Sequence, residues 1–224
     1  LVRNIVVTSV IDAVVEDLKE QVLSRDLAPN SPLTEADVAA RYDVARATEK
    51  VLVRRNHKTA RVVKLGPVDV RDIYNTRIYL ESEVLRRLAK SGIVPDEARV
   101  ANAEIAALWQ QGSWNIVGPD MRFHTVLIDS LHSERTSSAY ASLAFEVKLC
   151  MAQLQGSQRL SPEIIVAEHA KLLDLITSGE AGSAAALLDE HLSRARELLA
   201  GALGGEPGPE AYLPSSALPT PASA

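Results

Sequence analysis

The sequence predicts a mainly α protein in two parts, a short head ending in a small hairpin and an antiparallel bundle of about six helices. Three observations lead there. Apolar residues recur at helical spacing through most of the 224 residues, in an ordinary globular balance of 46% hydrophobic and 24% charged. Aromatic residues make up only 4%, so the core must be filled by Leu, Val, Ile and Ala, which favours helices packed by aliphatic ridges. Alternating β-branched residues flank Asn56-His57-Lys58, and the texture changes after Gly66-Pro67.

Taken in order, Val10, Ile11, Val14, Val15, Leu18, Val22 and Leu23 lie at helical spacing with acids between them, and Ser9 serves as the N-cap. The segment from Asp26 to Pro32 breaks the pattern as a turn. Thr34 caps a second helix with Asp37 in the reciprocal capping position, and this helix buries Val38, Ala39 and Tyr42. Tyr42 to Thr48 reads as a turn and the opening of a third helix. The stretches Val51 to Arg55 and Thr59 to Leu65 form a hairpin with basic residues at its tip. Short helices followed by a basic hairpin are the layout of a winged helix-turn-helix. In that layout one helix enters the major groove and the wing follows the phosphates. This head is expected to span residues 1–66.

The bundle is expected over residues 67–202. Val68 to Leu88 is a long amphipathic helix, and Pro95 opens another that runs to about Gln111. A third spans Asn115 to Leu131, and a fourth runs from Arg135 to Leu154 before Gly156. Ser161-Pro162-Glu163 combines an N-cap, a proline at the first position and an acid for the dipole, and starts a fifth helix that Gly179 stops. Ala184 to Leu199 is the sixth. Residues 203–224 are rich in Gly, Pro, Ala and Ser without a periodic apolar face, and are expected to form a disordered tail.

Charge is unevenly placed along the chain. The net charge is −5, yet residues 1–66 hold 11 Lys/Arg against 9 Asp/Glu. From Val44 to Lys64 there are seven basic residues and one acid, Glu49, which suggests a confined contact with a polyanion. A solvated basic loop is the plain alternative. The single Cys150 rules out an internal disulfide and fits a reducing cytoplasm. No apolar run reaches transmembrane length, and the first residues lack a secretory cleavage pattern. The chain starts at Leu1, so the expected terminus lies upstream.

Within the bundle, Asp120 and His124 sit four residues apart and so project from one helical face. His169 and His191 follow, each inside its own amphipathic segment. Three imidazoles and a carboxylate make a plausible set of ligands for zinc, with nickel, manganese or iron as alternatives. Taken singly, each histidine is more often a core residue, and Asp120 with His124 could be a local hydrogen-bonded pair. His57 and His132 have no such partners and read as surface residues. Glu168 and Glu190 directly precede two of the histidines and are expected to point away from the site.

With these residues placed, the chain resembles the GntR-type transcriptional regulators that carry an FCD-type helical ligand domain. The likeness covers about residues 10 to 200. In the head it rests on Leu33-x-Glu35-x-x-Val38-Ala39, Tyr42-x-Val44-x-Arg46 and Arg61-Val62-Val63. In the bundle it rests on Arg77-x-x-Leu80-Glu81, Asp120-x-x-Phe123-His124, Glu168-His169-x-x-Leu172-Leu173 and His191-Leu192. The resemblance implies a divalent metal on Asp120, His124, His169 and His191. It also implies that Arg77 meets the carboxylate of a small organic acid, for which its planar fork is suited. Arg77 paired with Glu81, one turn away, is the alternative.

The implied function is a ligand-responsive, dimeric regulator on a roughly palindromic DNA operator. Arg46 and Thr48 would lie nearest the bases, and Arg54, Arg55, Lys58 and Arg61 nearest the phosphates. One departure concerns the recognition helix, which in similar proteins continues for roughly three more turns of 3.6 residues. Here Arg46 to Lys50 runs almost directly into Val51, through either a deletion or residues missing from the chain. Two rival readings remain. One is a metal-dependent hydrolase, against which stand the lack of a placed general base and of a Glu-x-x-His pair. The other is a bundle with a purely structural metal.

Overall fold

The computed structural model describes residues 10–42, 60–153 and 161–206. Their order is α1 (Val10–Ser24), β1 (Pro32–Leu33), α2 (Glu35–Tyr42), β2 (Ala60–Arg61), α3 (Pro67–Ser91), α4 (Asp96–Gln110), α5 (Val117–Asp129), α6 (Glu134–Gln153), α7 (Pro162–Thr177) and α8 (Ala181–Ala202). The chain divides into two compact units, Leu1–Leu65 and Gly66–Ala224. No described helix is long and apolar enough to cross a membrane.

In the first unit, Val14, Val15, Leu18 and Val22 lie on the buried face of α1, where they join Leu33, Val38 and Val62 in the core. Helix α1 ends with Arg25 in the left-handed region, and the Leu27 N–H reaches back to the Gln21 carbonyl. The α2 cap forms as its sequence dictates. The Asp37 carboxylate accepts the Thr34 N–H at 2.9 Å, and the Thr34 hydroxyl oxygen accepts the Asp37 N–H at 3.0 Å. The Tyr42 hydroxyl ties α2 to Asp17 and Gln21 of α1.

Of the expected hairpin only the second arm lies among the described residues. Ala60–Arg61 pairs antiparallel with Pro32–Leu33, a stretch that the sequence reading ended as a turn at Pro32. A two-residue strand is too short to show alternation, and Pro32 occupies the first strand position, where a missing N–H is tolerated. The first hairpin arm, the expected third head helix, the cap at Ser9 and the tail beyond residue 206 lie outside the described residues.

In the second unit, α3 is the hub and packs on α5, α6, α7 and, most extensively, α8. Its start is set by Pro67 at N1 and by Asp69, whose carboxylate accepts the Gly66 N–H at 2.8 Å. Its end is set by Gly92, whose φ of 64° supplies the left-handed cap and whose one N–H is shared between the Leu88 and Ala89 carbonyls. Val70, Ile73, Tyr74, Val84, Leu85 and Leu88 form its buried stripe. Helices α4, α5 and α7 enclose a further core of Ile105, Ile116 and Ile165, which Leu108 and Val166 extend. Asn102 of α4 donates to the Val166 carbonyl at 3.0 Å, pinning α4 to α7.

Candidate metal centre

Three helices bring the expected ligands together. On α5, Asp120 lies in the first turn and His124 one turn later, on the face that also buries Phe123, Leu127 and Ile128. On α7, His169 belongs to the stripe formed by Ile165, Leu172, Leu173 and Ile176. Pro162 starts this helix as expected, but the Ser161 side chain makes no capping hydrogen bond. On α8, His191 lies between Leu188 and Leu192 on the buried face. Asp120 Oδ1 lies 3.7 Å from His169 Nε2, close enough for an ion pair but beyond hydrogen-bond reach.

One ligand atom from each of Asp120, His124, His169 and His191 lies within 4.8 Å of the others. Four donors at about 2.0–2.2 Å around one tetrahedral ion lie about 3.3–3.6 Å apart, so the widest span must contract by roughly an ångström to close the shell. His124 Nε2 and both nitrogens of His169 have no hydrogen-bond partner although they are buried. Unpartnered buried imidazole nitrogens are costly unless something else takes their lone pairs. The residues therefore fit a divalent ion.

A polar network supports this cage. Arg77 Nε donates to Glu81 Oε1 at 2.7 Å, and both side chains are 2% exposed. Glu81 also accepts the Tyr140 hydroxyl at 2.8 Å and lies 2.6 Å from His124 Nδ1. Burial would raise the Glu81 carboxyl, but Arg77 and then His124 hold it well below the usual carboxylate range. Burial lowers His124 and, with the neighbouring imidazoles His191 and His124 adding to it, drives His169 well below the usual histidine range. Both are therefore neutral near pH 7, the form that can donate a lone pair to a metal.

Glu168 corrects the sequence reading. It does not point away: it is fully buried, lies 2.7 Å from His191 Nδ1 and accepts from Arg194. Glu190 is half-buried. Residues adjacent on a helix differ by about 100° in direction, but α7 is packed against α3, α4 and α8, so both directions meet protein. Glu81 was legible one turn from Arg77. Tyr140 and Arg194 left no signal in the sequence, and Glu168 stood out only as part of the Glu168-His169 motif, because their partners are distant along the chain.

Arg77 is 1% exposed, lies 5.1 Å from the Tyr74 ring centroid and keeps one guanidinium nitrogen, Nη2, without a partner. The expected pairing with Glu81 is thus present, with one donor left over. His132 is exposed, with a φ of 52°. Arg61 donates through Nη1 to the Asn30 carbonyl at 2.8 Å. Arg46, Thr48, Arg54, Arg55, Lys58 and His57 lie outside the described residues.

Among the described residues, six helices with a buried Asp/His cluster follow a small helical head in the chain, and together they define a class. The FCD domain matches residues 72–194, more than half of the chain, and the chain belongs to that family. The proteins it is similar to are transcriptional regulators. The HTH-type transcriptional regulator BphR of Paraburkholderia xenovorans (strain LB400) is 26% identical over 207 residues, covering 83% of each chain. A GntR transcriptional regulator from Rhodococcus sp. RHA1 shares the fold with a TM-score of 0.71 at 20% identity, over 87% of this chain and 99% of its own. E. coli McbR/YncC does so with a TM-score of 0.66 at 15% identity, over 86% and 97%.

Proposed function

We propose that the helical domain of this regulator binds a divalent metal on Asp120, His124, His169 and His191, and a small carboxylate effector through Arg77. Zinc fits the donor set best, with nickel, manganese or iron as alternatives. The observation that carries the reading is the set of four buried ligand atoms within 4.8 Å, among them imidazole nitrogens with no other partner. When bound, the metal supplies an electrophilic centre for the effector's oxygens. Arg77 contributes its unpartnered Nη2, which can donate to a carboxylate while Nε keeps Glu81 in place.

The effector acts on DNA only through different affinities for the DNA-competent and incompetent arrangements of the regulator. We read the protein as a homodimer on a roughly palindromic operator, with Arg46 and Thr48 near the bases and Arg54, Arg55, Lys58 and Arg61 near the phosphates. A panel of small mono-, di- and hydroxycarboxylic acids tests the effector part, by thermal shift of zinc-supplied protein. An acid that stabilises the wild type should also change operator affinity by about 5–150-fold, and lose both effects in Arg77→Lys. An acid whose two effects survive in Arg77→Lys would remove Arg77 from the role.

A second reading is favoured by burial, since all four ligands are less than a tenth exposed. A closed shell of four protein ligands suits a structural metal. In that case the chelated protein unfolds, and no acid has a separate effect.

A further inference from the structure

Two carboxylates outside the ligand set face imidazoles inside it, and their surroundings match. Glu81 of α3 lies 2.6 Å from His124 Nδ1, and Glu168 of α7 lies 2.7 Å from His191 Nδ1. Both carboxylates are buried, at 2% and 0% exposure. Each is held by an arginine, Arg77 through Nε and Arg194 through Nη2. The two chains of contact, Arg77–Glu81–His124 and Arg194–Glu168–His191, draw on α3 and α5 in one case and on α7 and α8 in the other.

An imidazole whose Nδ1–H is given to a carboxylate has its lone pair on Nε2. That is the nitrogen of His124 left without a hydrogen-bond partner. The arrangement fixes tautomer and ring orientation together, and a carboxylate on Nδ1 makes the opposite nitrogen a stronger donor to a cation. His169 differs from both. Neither of its nitrogens has a hydrogen-bond partner, and its ring is set by stacking on Phe123 at 3.7 Å and 3°.

We propose that Glu81 and Glu168 are positioning residues for the metal: each locks one imidazole with Nε2 toward the shared centre, and each is held there by its own arginine. This deepens the metal reading above and rests on it. A buried and a part-buried guanidinium–carboxylate pair that served only the packing of the bundle would not need an imidazole nitrogen as a third partner. Two such pairs converging on two ligands of one cluster follow naturally if the imidazoles must be aimed. The arginines matter because each fixes its carboxylate by a hydrogen bond, Arg77 to Glu81 and Arg194 to Glu168.

The test is a cobalt(II) titration of the full chain, with a competing chromophoric chelator and the visible spectrum of the bound ion as readouts. The wild type is compared with Glu168→Gln and Glu81→Gln, which keep shape and an acceptor oxygen but lose the charge. Far-ultraviolet circular dichroism of the metal-free proteins is the fold control. The expected result is a weakening of cobalt(II) binding by about 10–100-fold in each variant, with a changed visible spectrum and retained helix content. Two variants are used so that a folding failure in one leaves the other to decide. Binding and spectrum in a folded variant within about threefold of wild type would overturn the positioning role while leaving the metal reading intact. A wild type that takes up no cobalt(II) would overturn both.

Discussion

Replacing Arg77 by Met keeps most of the side-chain volume and removes the charge, so it isolates what the guanidinium does inside the bundle. Arg77 and Glu81 are both 2% exposed, so screening by solvent does not reduce the pairing. Removing one partner of a buried pair costs about 3–5 kcal/mol, because the other charge is left uncompensated. Glu81 would keep the Tyr140 hydroxyl and His124, neither of which is cationic when His124 is neutral. For a protein of this size that corresponds to a fall in melting temperature of roughly 6–20 °C. The double variant Arg77→Met/Glu81→Gln removes the stranded charge and leaves an acceptor for Tyr140 or His124. It should be more stable than Arg77→Met alone, with a coupling of about 0.5–3 kcal/mol. Urea denaturation of metal-free protein gives both quantities. An Arg77→Met protein within about 1 kcal/mol of wild type, or a double variant no better than the single, would refute the reasoning.

Two other outcomes are expected. Cys150 is fully buried and its thiol is pushed up to about 12, by burial first and then by Glu146 and Asp69. It should resist alkylation at pH 8 until denaturant is added; because its folded pKa is raised, ionisation above the ordinary thiol range should favour unfolding rather than folding. Zinc at about 100 times its dissociation constant should stabilise the protein by about 2.7 kcal/mol, read as a higher melting temperature that a chelator reverses. Cooperative melting of the chelated protein would set the structural-metal reading aside.

The bundle was legible because its signals are local. Gly66-Pro67 and Ser161-Pro162 punctuate the chain where α3 and α7 begin, and the apolar stripes of α3 and α7 repeat at helical spacing. Boundaries slipped where such signals are weak: α8 starts at Ala181, three residues before the expected Ala184, in a run of small residues that shows no face. Strand β1 was hidden because two residues cannot alternate visibly. The Asp/His cluster was legible for a mixed reason. Asp120 and His124 announce themselves by spacing, whereas His169 and His191 join them only once α7 and α8 have packed. The supporting network is the part that sequence order conceals. Glu81 to Tyr140 and Glu168 to Arg194 span 59 and 26 residues, and only tertiary packing makes them neighbours.

The most direct test of the central claim is the metal content of purified protein after growth with zinc and nickel supplied. It should be measured in wild type and in Asp120→Ala, His124→Ala, His169→Ala and His191→Ala. A metal centre on these residues predicts close to one ion per chain in the wild type and a clear loss in all four variants. A wild type without metal, or one whose metal survives all four substitutions, would contradict it.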